Sequence, residues 1–475
     1  MFPKRTFLAY FFAMFLLALA NWLGISFGDP TIDQILYHLH YNARLGIEVG
    51  RIFLFTFIVE CMVIPLVAAL GAVALQLLVQ ELLSRMRRHR VRLAMGAVLP
   101  AAAVACGVAA LAFKLSLYSW VSYKFEPDQF GARYADPARV VLKTVKPRNL
   151  VLLYVESLEA TYGRQELWGR DLLEPLRKAG GVSFSNYLQA PGANWTIAAM
   201  VATQCGVPLR YATPSSMHEA GPAVPVFLPR AKCLSDILHE KGYVNVFLGG
   251  APLTFAGKGQ FLRDHKYDQL FGRHVWEAQG APAEAFGEWG MFDDALFERA
   301  KVQLTKLHDS GKHFNLTLLT LDTHNPNGFQ SPYCRRRGLR DFRDIVECTS
   351  EQVADFLEFI ESSGYLRDTQ VVVIGDHLSV SNPLEDKLRE VGDRRIFNRL
   401  ISSSPIVKNT ETLVAFDFFP SILEFIGFEV VGDRLGLGYS ALNTIDVPRP
   451  PDRLDAHALS GLSASATYDG LWEPR

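Results

Sequence analysis

Two apolar runs, each ending in side chains of the metal-binding kind, most tightly limit what this chain can fold into. The first is NLVLLYVESLE, from Asn149 to Glu159. Its apolar residues continue without polar alternation, as in a strand buried on both faces of a parallel sheet. Glu156 follows where such a strand would end. The second run, QVVVIGDH from Gln370 to His377, has the same form and ends in Asp376 and His377. Ligands of open α/β sheets bind beyond the carboxyl ends of the strands. Together the runs predict a metal site on one rim of a sheet.

The chain has 475 residues, which exceeds one ordinary domain. Its net charge of −1 offers no basic excess, so no nucleic-acid partner is expected. Long apolar runs crowd into residues 1–120. Three of them, at about 7–27, 52–78 and 93–120, suit membrane-spanning helices. Lys4 and Arg5 precede the first, so a signal peptide is the competing reading. The run is long for such a peptide and two more follow, which favours an uncleaved anchor. Arg85, Arg87, Arg88, Arg90 and Arg92 lie between spans two and three. The positive-inside rule puts that loop and the N-terminus in the cytoplasm, and everything after Trp120 outside it. Glu60 and Lys114, one in each later span, are expected to be neighbours, since intramembrane charges pair or face a cavity. The alternative is that Lys114 snorkels to the headgroups.

Six cysteines fit this layout. Cys61 and Cys106 lie in spans and are expected as small buried hydrophobes. Cys205, Cys233, Cys334 and Cys348 fall in an oxidising space, where disulfides persist. Of three possible pairings, nearest neighbours give Cys205–Cys233 and Cys334–Cys348. Zinc ligation is the rival, but no C-x-x-C spacing occurs.

Between the first two spans, Ile35, Leu36, Leu39 and Tyr41 suit one face of an interfacial helix, with a plain loop as the alternative. Residues 121–148 read as a juxtamembrane linker, with Tyr118, Trp120, Tyr123 and Phe125 suited to the interface belt. From Asn149 the runs LVLLYV, VNVFLGG, FNLTLLTLD and QVVVIGD alternate with helix-period segments at Cys233–Gly242, Phe292–Asp309 and Ser350–Ser363. That alternation predicts an α/β domain over 149–447 with a largely parallel sheet flanked by helices. Residues 448–475 read as a peripheral Pro-, Arg- and Ser-rich tail.

The third element of the site is APGANWTIAAMVATQCG, Ala190 to Gly206. Thr196 follows a turn and starts an apolar helical run. Its hydroxyl is either a helix N-cap or a nucleophile facing an anion.

Glu156 in YVESLE, Thr196 in GANWTIAAMVATQCGVPL and Asp376–His377 in VIGDHL resemble the sulfatase-like membrane phosphotransferases. That family includes lipoteichoic acid synthases, phosphoethanolamine transferases and the phosphoglycerol transferases of periplasmic glucans. The last are the nearest match, through CLSDILHEKGY, LTFAGKGQFLRDHKYDQLFG, WGMFDD and LTLDTHNPNGF. The resemblance covers about Asn149 to Ser440. It implies a sulfatase/alkaline-phosphatase-like fold, with Glu156, Thr196, Asp376 and His377 on one divalent metal. Mn²⁺ or Mg²⁺ is favoured and Zn²⁺ is possible. It implies Thr196 as a nucleophile that takes sn-glycerol-1-phosphate from phosphatidylglycerol and passes it to a periplasmic glycan. His324 in DTHNP matches the histidine that contacts the transferring phosphate. Lys258 in FAGK matches a basic substrate contact, and Trp289 is expected near the head group. Structural readings stand beside these: a packed histidine, a solvated lysine, a core tryptophan. A bacterial inner membrane, with the catalytic part in the periplasm, is implied.

Three rivals follow from the same residues. A sulfatase or phosphatase would need a C/S-x-P-x-R motif or a second metal constellation, and Thr196 is followed instead by IAAM. A phosphoethanolamine transferase would share the machinery but not the donor pocket. A catalytically dead membrane sensor would lack ligand types that are present here.

Overall fold

Seven residues from Asn149 to Val155 form a strand (β1) inside a six-stranded sheet. The other strands are Val244–Gly249 (β2), Gln269–Phe271 (β3), Phe314–Leu319 (β4), Thr369–Gly375 (β5) and Asn398–Ile401 (β6). Their order is β3-β2-β4-β1-β5-β6. The first five run parallel, and β6 lies antiparallel on β5. Leu150, Leu152 and Tyr154 enter one hydrophobic core, while Val151, Leu153 and Val155 enter another on the opposite face. The strand has no solvent face, which is why its sequence shows no polar alternation. Val371 to Ile374 of β5 divide between the same two cores.

The structure is a computed structural model that describes residues 4–28, 30–45, 51–86, 89–122, 125, 127–210, 226–442, 449–450 and 465–473. Arg87, Arg88 and Tyr123 fall outside the described residues, as do the side chains of Tyr41, Arg90 and Arg92. The chain divides into two compact units. One comprises Met1–Leu36 and Ile47–Phe125, the other Tyr37–Gly46 and Glu126–Arg475.

Three helices of the first unit are long and apolar enough to cross a membrane: Lys4–Phe27, Leu54–Arg85 and Met95–Lys114. In chain order the helices are Lys4–Phe27 (α1), Ile32–Leu45 (α2), whose residues from Tyr37 on belong to the second unit, and Ile64–Arg85 (α3) and His89–Lys114 (α4), which with α1 lie in the first. Before α3 the chain passes through a π-helical turn, Ile58–Val63. Pro65 explains it, because its ring clashes with a carbonyl one turn back and cannot donate to it. Gly107 lets α4 approach α1, since a Cβ there would lie 2.8 Å from the Ala13 carbonyl oxygen. Tyr10 donates to Gln76 at 2.6 Å between α1 and α3.

Several expectations need correction. The third span ends at Lys114 rather than Trp120, because Ser116 adopts φ 51° and a separate helix, Leu117–Ser122, follows. No ion pair joins Glu60 to Lys114 among the described residues. The Lys114 ammonium instead lies beside Gly24, where a Cβ would sit 2.9 Å from Nζ. Cys61 is buried as expected, but Cys106 is exposed. The segment after the first span needs no correction: it is helical (α2), the first of the two readings given for it. The tail is not wholly peripheral. Tyr468 and Trp472 enter the core of the second unit, Tyr468 edge-on to Phe130 and Trp472 tilted against Phe227.

Three helices of the second unit place site residues: Thr196–Cys205 (α5), Lys258–Asp264 (α6) and Asp293–Asp309 (α7). α5 is tied to β1 by a buried network. Tyr154 and Thr203 hydroxyls meet at 2.6 Å, and Gln204 joins Tyr154 and Tyr267. The far end of α5 is closed by the disulfide Cys205–Cys233, and Cys334–Cys348 forms a second. Both pairings are the nearest-neighbour ones.

Candidate active site

Glu156 emerges from the end of β1, and Asp376 and His377 from the end of β5, on adjacent parallel strands. The two loops can pass only because β5 ends in glycine. A Cβ at Gly375 would lie 1.9 Å from the Leu158 carbonyl oxygen. Thr196 is the first residue of α5, and Trp195, not Thr196, occupies the N-cap position. The hydroxyl is therefore not used as a cap. It donates to Glu156 Oε2 at 3.2 Å. His377 Nε2 lies 3.5 Å from Glu156 Oε1 and 3.4 Å from Asp376 Oδ2. The structure thus brings together all four residues expected at the site.

Each ligand-type side chain is held by its neighbours. Asp376 Oδ1 accepts from the backbone N–H groups of Ser157 (2.7 Å) and His377 (2.9 Å). Ser157, in the left-handed region at φ 53°, also donates its hydroxyl to Glu156 Oε1 at 2.8 Å. The Glu156 backbone N–H donates to the Thr320 hydroxyl, and Thr323 donates to the Glu156 carbonyl. His377 Nδ1 faces the Leu378 carbonyl at 2.9 Å. That contact places a proton on Nδ1 and leaves Nε2 to face the carboxylates.

These residues fit a divalent cation. Glu156, Asp376 and His377 are buried, each with a ligand atom within 4.8 Å of the others'. Asp376 Oδ2 is buried with no hydrogen-bond partner, an arrangement that costs stability unless something positive meets it. Burial, then the charge of Glu156, pushes Asp376 up to about 7. Burial also opposes ionisation of Glu156, but His324, His377 and hydrogen bonds from Ser157 and Thr196 outweigh it and hold that carboxyl low. Burial lowers His377, and Asp376 with Glu156 more than reverse this. Protons and a cation therefore compete for one pool of negative charge. A second set of ligand-type side chains, Cys205, Cys233 and His265, has its sulfurs joined in the disulfide.

Lys258 is buried, not a solvated surface lysine. Burial pulls its ammonium down to about 8, against the opposite pull of Glu156 and Asp376. His324 stands in the turn after β4, its charge felt by Glu156. Its ring lies 5.1 Å from Trp289, which in turn meets Phe255 edge-on at 5.1 Å. Trp289 therefore packs beside His324.

Sequence reasoning missed the supporting residues. Ser157 lies inside YVESLE, and Thr320 and Thr323 inside LTLDTHNPNGF, but nothing in those patterns marks their supporting roles. The WGMFDD motif has a local reason. Asp293, first in α7, accepts from the backbone N–H groups of Leu321 (2.7 Å) and Asp322 (3.0 Å), shaping the turn that bears His324. Burial pushes Asp293 up to about 7, and burial together with Asp293 raises Asp322 as well. The folded chain keeps this proton to about pH 7, whereas an unfolded aspartate loses it near about 3.9. Stability from this group therefore falls as pH rises through that window. Asp293→Asn, which does not titrate, should start less stable than the parent. The gap in thermal midpoint should narrow from about pH 5 to about pH 8. A gap that widens with pH contradicts the assignment.

A parallel sheet with ligands at its carboxyl rim, and a hydroxyl at a helix start facing them, is the arrangement of the alkaline-phosphatase-like class. The sulfatase family model matches residues 148–428, and the chain belongs to that family. It is similar to phosphoglycerol transferase I of Escherichia coli O127:H6 (strain E2348/69 / EPEC), 34% identical over 433 residues, covering 88% of this chain and 53% of the relative. The protein of the same name from Salmonella heidelberg (strain SL476) is 33% identical over 435 residues, with the same 88% and 53%. The chain spans about half the length of these curated relatives. Among solved structures, a protein in the alkaline phosphatase superfamily from Vibrio parahaemolyticus has 18% identity and a TM-score of 0.52, covering 74% of this chain and 97% of that one. That likeness bears on the fold alone, and the expected fold class is the one observed.

Proposed function

We propose that this chain transfers sn-glycerol-1-phosphate from phosphatidylglycerol to a periplasmic glycan through a covalent intermediate on Thr196. The observation that carries the reading is the Thr196 hydroxyl, free of any capping role and 3.2 Å from Glu156 Oε2 in a nest of cation-type ligands. The similarity to phosphoglycerol transferase I supports glycerophosphate as the transferred group. Glu156, Thr196, Asp376 and His377 would hold one divalent cation, Mn²⁺ or Mg²⁺ in preference to Zn²⁺. Such a cation lowers the pKa of a hydroxyl it binds and offsets phosphate charge.

Thr196 Oγ1 attacks phosphorus, and the bond to the diacylglycerol oxygen breaks. Diacylglycerol leaves with a proton, and glycerophospho-Thr196 remains. An acceptor hydroxyl then attacks the same phosphorus, and the threonine regains its proton. Lys258 offsets charge on the non-bridging oxygens, and His324 supplies or takes the proton at the moving oxygens. Trp289 fixes the plane of His324 beside the head group. The three apolar helices anchor the chain in the bacterial inner membrane, N-terminus inward, with the catalytic part, 149–447, on the periplasmic side.

The test presents the full chain with vesicles of labelled phosphatidylglycerol or phosphatidylethanolamine. Peptide mass analysis then looks for an adduct on Thr196. A glycerophosphate increment from the first lipid only supports the reading. A phosphoethanolamine increment transfers it to the rival donor, and release of free product with no adduct marks a hydrolase.

A further inference from the structure

Tyr37 and His38 precede the sulfatase-matched region, yet belong to the same compact unit as the site. Tyr37 is fully buried, and its hydroxyl donates to the Ala256 carbonyl at 2.8 Å, across 219 positions of sequence. Ala256 is no ordinary acceptor. It adopts φ 53° and ψ 29°, a left-handed conformation that a Cβ disfavours, and Gly257 follows at φ 71°. This double left-handed turn ends at Lys258, the first residue of α6. The direction in which Lys258 leaves the backbone is therefore set by a turn that needs outside support. His38 lies at the same place. Its ring is 6.3 Å from Trp195, next to Thr196, and 6.3 Å from Phe255, the first residue of the turn. Burial pulls His38 down to about 4, so it packs there as a neutral ring.

We propose that Tyr37 is a positioning residue for Lys258: its hydroxyl holds the Ala256 carbonyl, and the turn so fixed aims the lysine at the carboxylate cluster. This deepens the function proposed above, because it rests on Lys258 meeting the phosphate of the donor. The site then includes a residue from far outside the matched family region.

The test uses the full chain in lipid vesicles and measures the rate of Thr196 adduct formation against phosphatidylglycerol concentration. Tyr37→Phe removes one oxygen and keeps the ring. KM for the donor should rise about tenfold, as for one lost hydrogen bond, with a smaller change in kcat. Tyr243→Phe is the control. It deletes the same kind of bond, from Tyr243 to the Arg148 carbonyl at 2.8 Å, and should leave both constants unchanged. The discriminating measurement is a cycle with Lys258→Met. If Tyr37 acts through the lysine, the double variant is no worse than Lys258→Met alone. Additive losses, with or without a lowered thermal midpoint, mark a merely structural role and overturn the proposal. So does a Tyr37→Phe chain with parental KM. No adduct in the parent itself defeats the functional reading instead.

Discussion

Thr196→Ala should abolish the covalent adduct and cut transfer by at least about four orders of magnitude, the scale on which loss of an enzyme's nucleophile acts. Its stability should barely move. Thr196 stands one position inside α5, where alanine is a good helix former, and the N-cap belongs to Trp195. A shift within about 1 kcal/mol is expected, as for substitutions that create no cavity and break no cap. That separation makes the experiment decisive: activity is lost from a chain that melts where the parent melts. Thr196→Ser keeps the oxygen and should retain measurable transfer, slowed because the methyl group no longer fixes the rotamer. Chelation should silence the parent, and added Mn²⁺ should restore it, whereas no metal should restore Thr196→Ala. Full transfer by Thr196→Ala with metal present defeats the nucleophile assignment.

The ligand positions were legible for a physical reason. β1 and β5 are buried on both faces, so their sequences could only be apolar until the chain left the sheet. The first charged side chains then had to lie at its rim, where Glu156, Asp376 and His377 are found. Thr196 was less legible, because a hydroxyl starting a helix reads equally as a cap until its geometry is known. Other features depend on backbone choices that composition does not report. In sequence the third span runs on through Tyr118 and Trp120, which are apolar enough, but a left-handed residue at Ser116 stops it. Ser157 and Ala256 also take positive φ, although neither is glycine or asparagine. The burial of Lys258 hides behind its residue type, since a lone lysine after FAG reads as surface. The tail gives no periodicity at Tyr468 and Trp472, because five helical residues are too few to show one. Contacts over long sequence separation were the least visible of all.

Arg394 is the clearest case of such a contact, and its loss should be among the most damaging single changes. Glu159, four residues from the end of β1, is fully buried. Arg394 grips both of its oxygens, Nε at 2.9 Å, and also donates to the Ser379 carbonyl. One guanidinium thereby ties the loop after β1, which carries Glu156, to the loop after β5, which carries Asp376 and His377. Arg394→Met leaves the Glu159 carboxylate buried and unpaired, which costs about 3–5 kcal/mol. The destabilisation comes mainly from the orphaned charge, so Arg394→Met with Glu159→Gln should recover a good part of it. Activity should not recover in step, because the double variant still lacks the link to Ser379. Arg394→Lys separates the same two effects. A lysine restores charge but has no planar fork to bridge a carboxylate and a carbonyl at once. It should therefore hold stability better than it holds transfer or cation affinity. Thermal midpoints give the first quantity, and titration with Mn²⁺ the second. Were Arg394→Met as stable as the parent, or were the double variant worse than the single, the two loops would have to be held by something other than this pair.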